Sequence, residues 1–248
     1  MYRIDAIVLV SVLLIAMLLL IYVGRRVGLK VHEGKEYGDT GTISAIFGLM
    51  AFLLAFTFGM SGNRFDTRRD NIVNEANAIG TALILADLYP DDDRKAFRED
   101  FKSYIEERID YFETGHIPGE GTIKVDHGTI LWERAARLSH KQEYYLASQQ
   151  MIPVMTDMLS LNTTRLIGEM STVPDSIVWM LFILALVCAF YLGYSSGNKK
   201  YFDWFLAVGF CVLICVIIYI TLDLDRPRRG LIQLSTSHKA MTDLLKLF

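Results

Sequence analysis

Charge is missing where a soluble protein would need it. No charged residue falls between Thr42 and Asn63, and no proline between Gly41 and Tyr89. The chain has only three cysteines, Cys188, Cys211 and Cys215, all inside apolar runs. That excludes a disulfide framework for the polar part of the chain. With no histidine or carboxylate close by in sequence, they read as small packing residues rather than metal ligands. An excess of positive charge is also missing: Lys and Arg number 25 against 28 Asp and Glu, a net charge of −3. No basic face emerges, which argues against nucleic acid as a partner. No ionisable residue lies in the middle of an apolar run, so a pump-type relay lacks its usual marker. There is no nucleophile elbow, phosphate loop or metal-ligand spacing. An enzyme is therefore the least expected class, and no cofactor or metal is expected.

What the chain does have is apolar length. It is 52% hydrophobic with a mean hydropathy of +0.30 and 21% charged residues. Residues 4–23, 42–61, 176–195 and 202–222 are each long and apolar enough to cross a bilayer. The first run is longer than the apolar part of a signal peptide. It ends in Tyr22-Val23-Gly24-Arg25-Arg26 rather than a small-x-small cleavage site, so a retained span is expected. The expected fold is an all-α membrane protein with four transmembrane helices and a helical extramembrane domain between the second and third. Residues 1–61 hold the first two spans, 62–175 the polar domain, 176–222 the last two spans and 223–248 a tail.

The second run organises the rest. Its small residues, Gly41, Ala45, Gly48, Ala55, Gly59 and Gly62, form a stripe interrupted at Phe52, which suits close approach of helices in lipid. Beyond it the helical register continues as Phe65, Ile72, Ala76, Ile79, Leu83 and Ala86, now between polar residues. One helix from Gly41 to Tyr89 would reach about 70 Å at 1.5 Å per residue, over twice a bilayer core. It reads as the shared axis of a homo-oligomer. In a pore, Phe47, Phe52 and Phe56 would form a constriction that gates by dewetting. Arg64, Arg68 and Arg69 would ring the mouth and concentrate anions, partly offset by Asp66 and Asp70. Asn71, Asn74 and Asn77 would give uncharged polar lining. Glu75, in mid-helix, needs a partner such as Arg68, Arg69 or a neighbouring subunit, because an unpaired buried carboxylate is costly.

The remaining polar domain reads as helices. Asp91-Asp92-Asp93 suits a first helical turn better than a calcium site. Phe97, Phe101, Tyr104, Ile105, Ile109 and Phe112 form a stripe for packing on the axis helix. Residues 114–129 are a glycine-rich loop with His116 and His127, read as surface histidines. A second long helix is expected from about Ile130, kinked at Pro153. The tail places Met241, Leu244, Leu245 and Phe248 on one face, to lie on the membrane or dock on the polar domain.

Three runs carry a resemblance: Phe65-Asp66-Thr67-Arg68-Arg69, Asn74-Glu75-Ala76-Asn77-Ala78-Ile79-Gly80-Thr81-Ala82 and Asp223-Leu224-Asp225-Arg226-Pro227-Arg228-Arg229-Gly230. With the order of spans, they resemble the bacterial bestrophin-like domain family of membrane proteins, over nearly the whole chain. That family is loosely similar to true bestrophins, pentameric anion channels gated by calcium. The resemblance implies a multi-pass protein of the cell (inner) membrane, a pentamer, and inorganic ions and membrane lipid as partners. The acidic calcium clasp of bestrophins has no counterpart here, so calcium gating is not implied. Bestrophins carry their helical domain in the cytoplasm. The Lys and Arg count, led by Arg25-Arg26, leans towards placing residues 62–175 outside. A non-conducting scaffold or signalling module that oligomerises through the second helix fits the same pattern.

Overall fold

The computed structural model describes residues 5–31, 40–114, 126–198, 201–226, 232 and 234–248. They form α1 (Ala6–Val31), α2 (Thr40–Leu85), α3 (Asp91–Thr114), α4 (His127–Ser139), α5 (Tyr145–Met170), α6 (Asp175–Ser195), α7 (Trp204–Leu224) and α8 (Ser235–Leu244), with no strand among the described residues. Arg3, Lys35, His116, Lys199, Lys200 and the run Pro227-Arg228-Arg229-Gly230 lie outside them. Four helices, α1, α2, α6 and α7, are long and apolar enough to span a membrane. The chain divides into two units, Met1–Phe65 with Thr172–Ile232, and Asp66–Ser171 with Gln233–Phe248. Helix α2, 46 residues long, contributes to both.

In the first unit, α1, α6 and α7 bury Leu13, Met17, Ile21, Leu181, Ala185, Cys188, Cys211, Cys215 and Ile218 against one another, and α2 adds Met50 and Leu54. Helix α1 runs past Val23, through Arg25 and Arg26, to Val31. The reason is a pair of glycine motifs. Gly24 and Gly28 on α1 meet the backbone of Phe190, Tyr194 and Gly197, and Gly193 meets the backbone of Ile21. A Cβ on Gly193 would lie 2.8 Å from the Ile21 carbonyl carbon, and one on Gly197 2.7 Å from the Gly28 Cα. Glycines four apart let two helix backbones touch. By contrast, among the described residues a Cβ at Gly48, Gly59 or Gly62 of α2 would meet nothing within 4 Å. Among the described residues, the backbone-to-backbone glycine packing is therefore on α1, α6 and the turn that follows α6, not on the α2 stripe.

In the second unit, α2 supplies Ala76, Ile79, Ala82 and Leu83, and the 3-10 turn after it Ala86, to a core closed by Phe97, Phe101, Tyr104 and Ile105 of α3, Leu131, Ala135 and Leu138 of α4, and Met151, Met155 and Met158 of α5. The apolar stripe of α2 and the aromatic stripe of α3 thus share one core. Asp91, Asp92 and Asp93 occupy the first turn of α3, where acids complement the helix dipole. Asp126 caps α4 by accepting from the Gly128 N–H. The long second helix expected from the sequence is two helices. The break falls between Ser139 and Tyr145, while Pro153 sits inside α5 without ending it. Pro153 is exposed, as is Gln149 one turn back, whose carbonyl loses its usual donor. Water can serve that carbonyl.

The tail docks on this unit. Met241 of α8 is fully buried in its core, and Leu244 and Leu245 pack beside it. Gly80 of α2 admits Leu244, whose Cδ2 would lie 3.4 Å from a Cβ there. His238 of α8 stacks on Phe112, centroids 3.9 Å apart, and neither ring nitrogen has a partner among the described residues. Burial, helped by Arg165 of α5 and opposed by Glu113 of α3, holds its pKa below the ordinary histidine value. A lowered folded value means the docked tail favours neutral His238. Its seating is then complete above about pH 6.5 and weakens as pH falls through the lower folded value. The protection factors of the α8 amides, which divide out the intrinsic fall of exchange with pH, should drop over that acid range. His238→Phe, which keeps the stack, should flatten the dependence.

Candidate functional site

The outward side of α2 is built by spacings of three and four, which keep residues on one side of a helix. In the first unit that side carries Gly41, Ala45, Gly48, Phe52, Ala55, Phe56 and Gly59, all exposed. Phe52 and Phe56 are 64% and 55% exposed, and their rings stack at 6.4 Å. The opposite side buries Met50, Leu54, Thr57 and Ser61. Of the four apolar helices α2 is the least covered: 17% of its most apolar stretch is buried, against 39% for α6. Phe47 does not join the other two phenylalanines. It is half-buried and meets Phe210 of α7 edge-on at 5.4 Å. There it lines an apolar groove of about 560 Å³ with Met50, Leu54, Phe58 and Ile214.

In the second unit the same register exposes Asp66, Asp70, Asn74, Asn77, Thr81 and Ile84. Asn71 is half-buried, off this line. The three arginines part company. Arg64, in the first unit, turns to Asp225 at the end of α7, with N–O 3.4 Å. Asp225 is buried and also accepts from the Val173 N–H at 2.6 Å, while its neighbour Asp223 accepts from the Ile232 N–H at 3.0 Å. Arg68, in the second unit, is 3% exposed. It donates to the Gly168 carbonyl at 3.1 Å and to the Ser171 carbonyl, at the end of α5. A cation there serves carbonyls left open by the helix end and complements its dipole. Arg69 remains exposed, paired with Asp66 at 3.5 Å and Asp70 at 3.2 Å.

Glu75 is neither on this side nor paired with Arg68 or Arg69. It is fully buried and takes Arg108 Nε of α3 on Oε1 at 2.9 Å and Arg165 Nη1 of α5 on Oε2 at 2.7 Å. Glu169 meets Arg165 Nε at 3.4 Å and accepts from the Tyr111 hydroxyl at 3.0 Å. The sequence reading missed this network because its members come from three helices. The signal available was Arg108, a charge among the apolar positions of α3. Burial, aided by the Glu75 charge, raises the pKa of Tyr104 beside this network, so its phenol stays protonated. No group of three or more His, Cys, Asp or Glu residues able to hold a metal occurs among the described residues.

The three runs quoted above thus have distinct places. Glu75, Ala76, Ile79 and Ala82 are core, while Asn74, Asn77 and Thr81 alternate with them on the outside. Asp223 and Asp225 tie down the end of α7. No curated protein and no solved structure matches the chain. The family model of the Bestrophin-like domain matches residues 10–238. That span includes all four apolar helices except the first turn of α1. The chain is accordingly a multi-pass membrane protein, and it belongs to the Bestrophin-like domain family.

Proposed function

We propose that the protein is an oligomeric ion channel in which the α2 helices of several copies surround a common axis. The observation that carries this is the exposed side of α2. A helix that leaves Phe52 and Phe56 more than half uncovered, over glycines that meet nothing among the described residues, has packing still to make. The first-unit part has the ring-lined apolar surface of a dewetting constriction, and the second-unit part the amides and carboxylates of a wet vestibule. Family membership supports a channel-like assembly, and the resemblance to true bestrophins suggests five copies.

For the sign of the ion, the proposal is anion conduction, drawn from that resemblance. Arg69 is the member of the arginine trio left exposed; Arg64 and Arg68 would act on the mouth through their field only. A specific observation favours a second reading, cation conduction: Asp66 and Asp70 share the exposed side with Arg69 and outnumber it. The reversal potential in a salt gradient separates the two. Purified protein in liposomes tests conduction itself. Phe52→Ala and Phe56→Ala should raise ion flux at least several-fold, since each removes an apolar ring from the narrowest point. No flux from the parent or from either variant would favour the non-conducting scaffold.

A further inference from the structure

We propose that the Glu75 network is a binding site for one small monovalent inorganic anion, of halide size, held by Arg108 Nη2, Arg165 Nη2 and the Tyr104 hydroxyl. These three donors are buried and have no hydrogen-bond partner among the described residues. The side chains of Arg108 and Arg165 are each 2% exposed, and Tyr104 is 1% exposed. The donors belong together. Both guanidinium groups grip the two oxygens of one carboxylate, and Tyr104 lies one helical turn before Arg108 on α3.

The chemistry favours an anion. Buried donors, charged ones above all, are costly to leave without acceptors. Both Glu75 oxygens are already taken by the guanidinium groups. A protonated phenol and two guanidinium N–H groups offer three donors. One water brings two lone pairs to them, whereas a halide accepts from all three. Glu169, its side chain 12% exposed, balances the second guanidinium from the rim, so what favours a halide is the three open donors rather than an excess of charge. The site belongs to the second unit and does not depend on whether the protein conducts.

The test is thermal unfolding of the full chain in detergent, with chloride or bromide replacing gluconate at constant ionic strength. Halide should stabilise saturably, shifting the unfolding equilibrium about 100-fold when its concentration reaches 100 times the dissociation constant. Tyr104→Phe keeps the ring and removes one donor; it should weaken the halide dependence about tenfold. Chloride-35 resonance broadening by the native protein, reduced in Tyr104→Phe, gives a readout independent of unfolding. Identical melting in chloride and gluconate without broadening would overturn the proposal and leave the donors to ordered water. A halide effect unchanged in Tyr104→Phe would overturn it as well, by placing the ion elsewhere.

Discussion

Glu75→Ala should cost the folded protein about 3–5 kcal/mol, the range for removing one partner of a buried ion pair. The reason is not the loss of attraction alone. Arg108 and Arg165 would remain buried, two cations with their shared acceptor gone. Their desolvation would be unrepaid, and the core formed by α2, α3 and α5 would loosen around them. Replacing all three charges together, Glu75→Leu with Arg108→Met and Arg165→Met, should cost much less, because nothing charged is then left stranded. Denaturant unfolding of both variants checks the comparison. Equal losses would mean that the network acts through packing rather than charge.

Gly193→Val should be as damaging to the other unit. The added carbons would run into the backbone of Ile21, and backbone inside two packed helices has no rotamer to escape into. Overpacking typically costs 1–3 kcal/mol where side chains can yield. Here the cost should exceed about 3 kcal/mol, with loss of monodisperse protein on size-exclusion chromatography. Gly59→Val on α2 is the contrast. Its Cβ meets nothing among the described residues, so the variant should fold as a subunit. Any defect it shows belongs to assembly.

The sequence was most readable where one helix carries its own signal. The register of α2 continues from lipid-type to water-type composition without a proline, and Ile72, Ala76, Ile79, Leu83 and Ala86 are buried as their spacing requires. The aromatic stripe of α3 was legible for the same reason, and Phe97, Phe101, Tyr104 and Ile105 join the core. What failed were features set by contacts between helices. Glu75 lies 33 residues from Arg108 and 90 from Arg165, and no spacing rule connects them. Gly24-Arg25-Arg26-Val27-Gly28 reads as the end of a span because of its charges. Its packing role emerges only when Gly193 and Gly197 lie opposite. The break after α4 has neither glycine nor proline to announce it, while Pro153, the obvious breaker, sits harmlessly on an exposed side. Among the candidate site residues, Phe52 and Phe56 share the exposed side, whereas Phe47, Arg64 and Arg68 are drawn to other parts of their own units by Phe210, Asp225 and the end of α5.

The most direct measurement is planar-bilayer recording of Phe52→Cys across a salt gradient, before and after a bulky thiol reagent. The native cysteines are at most 4% exposed, which leaves position 52 as the reactive one among them. If α2 lines a conducting axis, the variant should carry current with a non-zero reversal potential, and the reagent should block most of it. Absence of current, or a current indifferent to modification at position 52, would contradict the account.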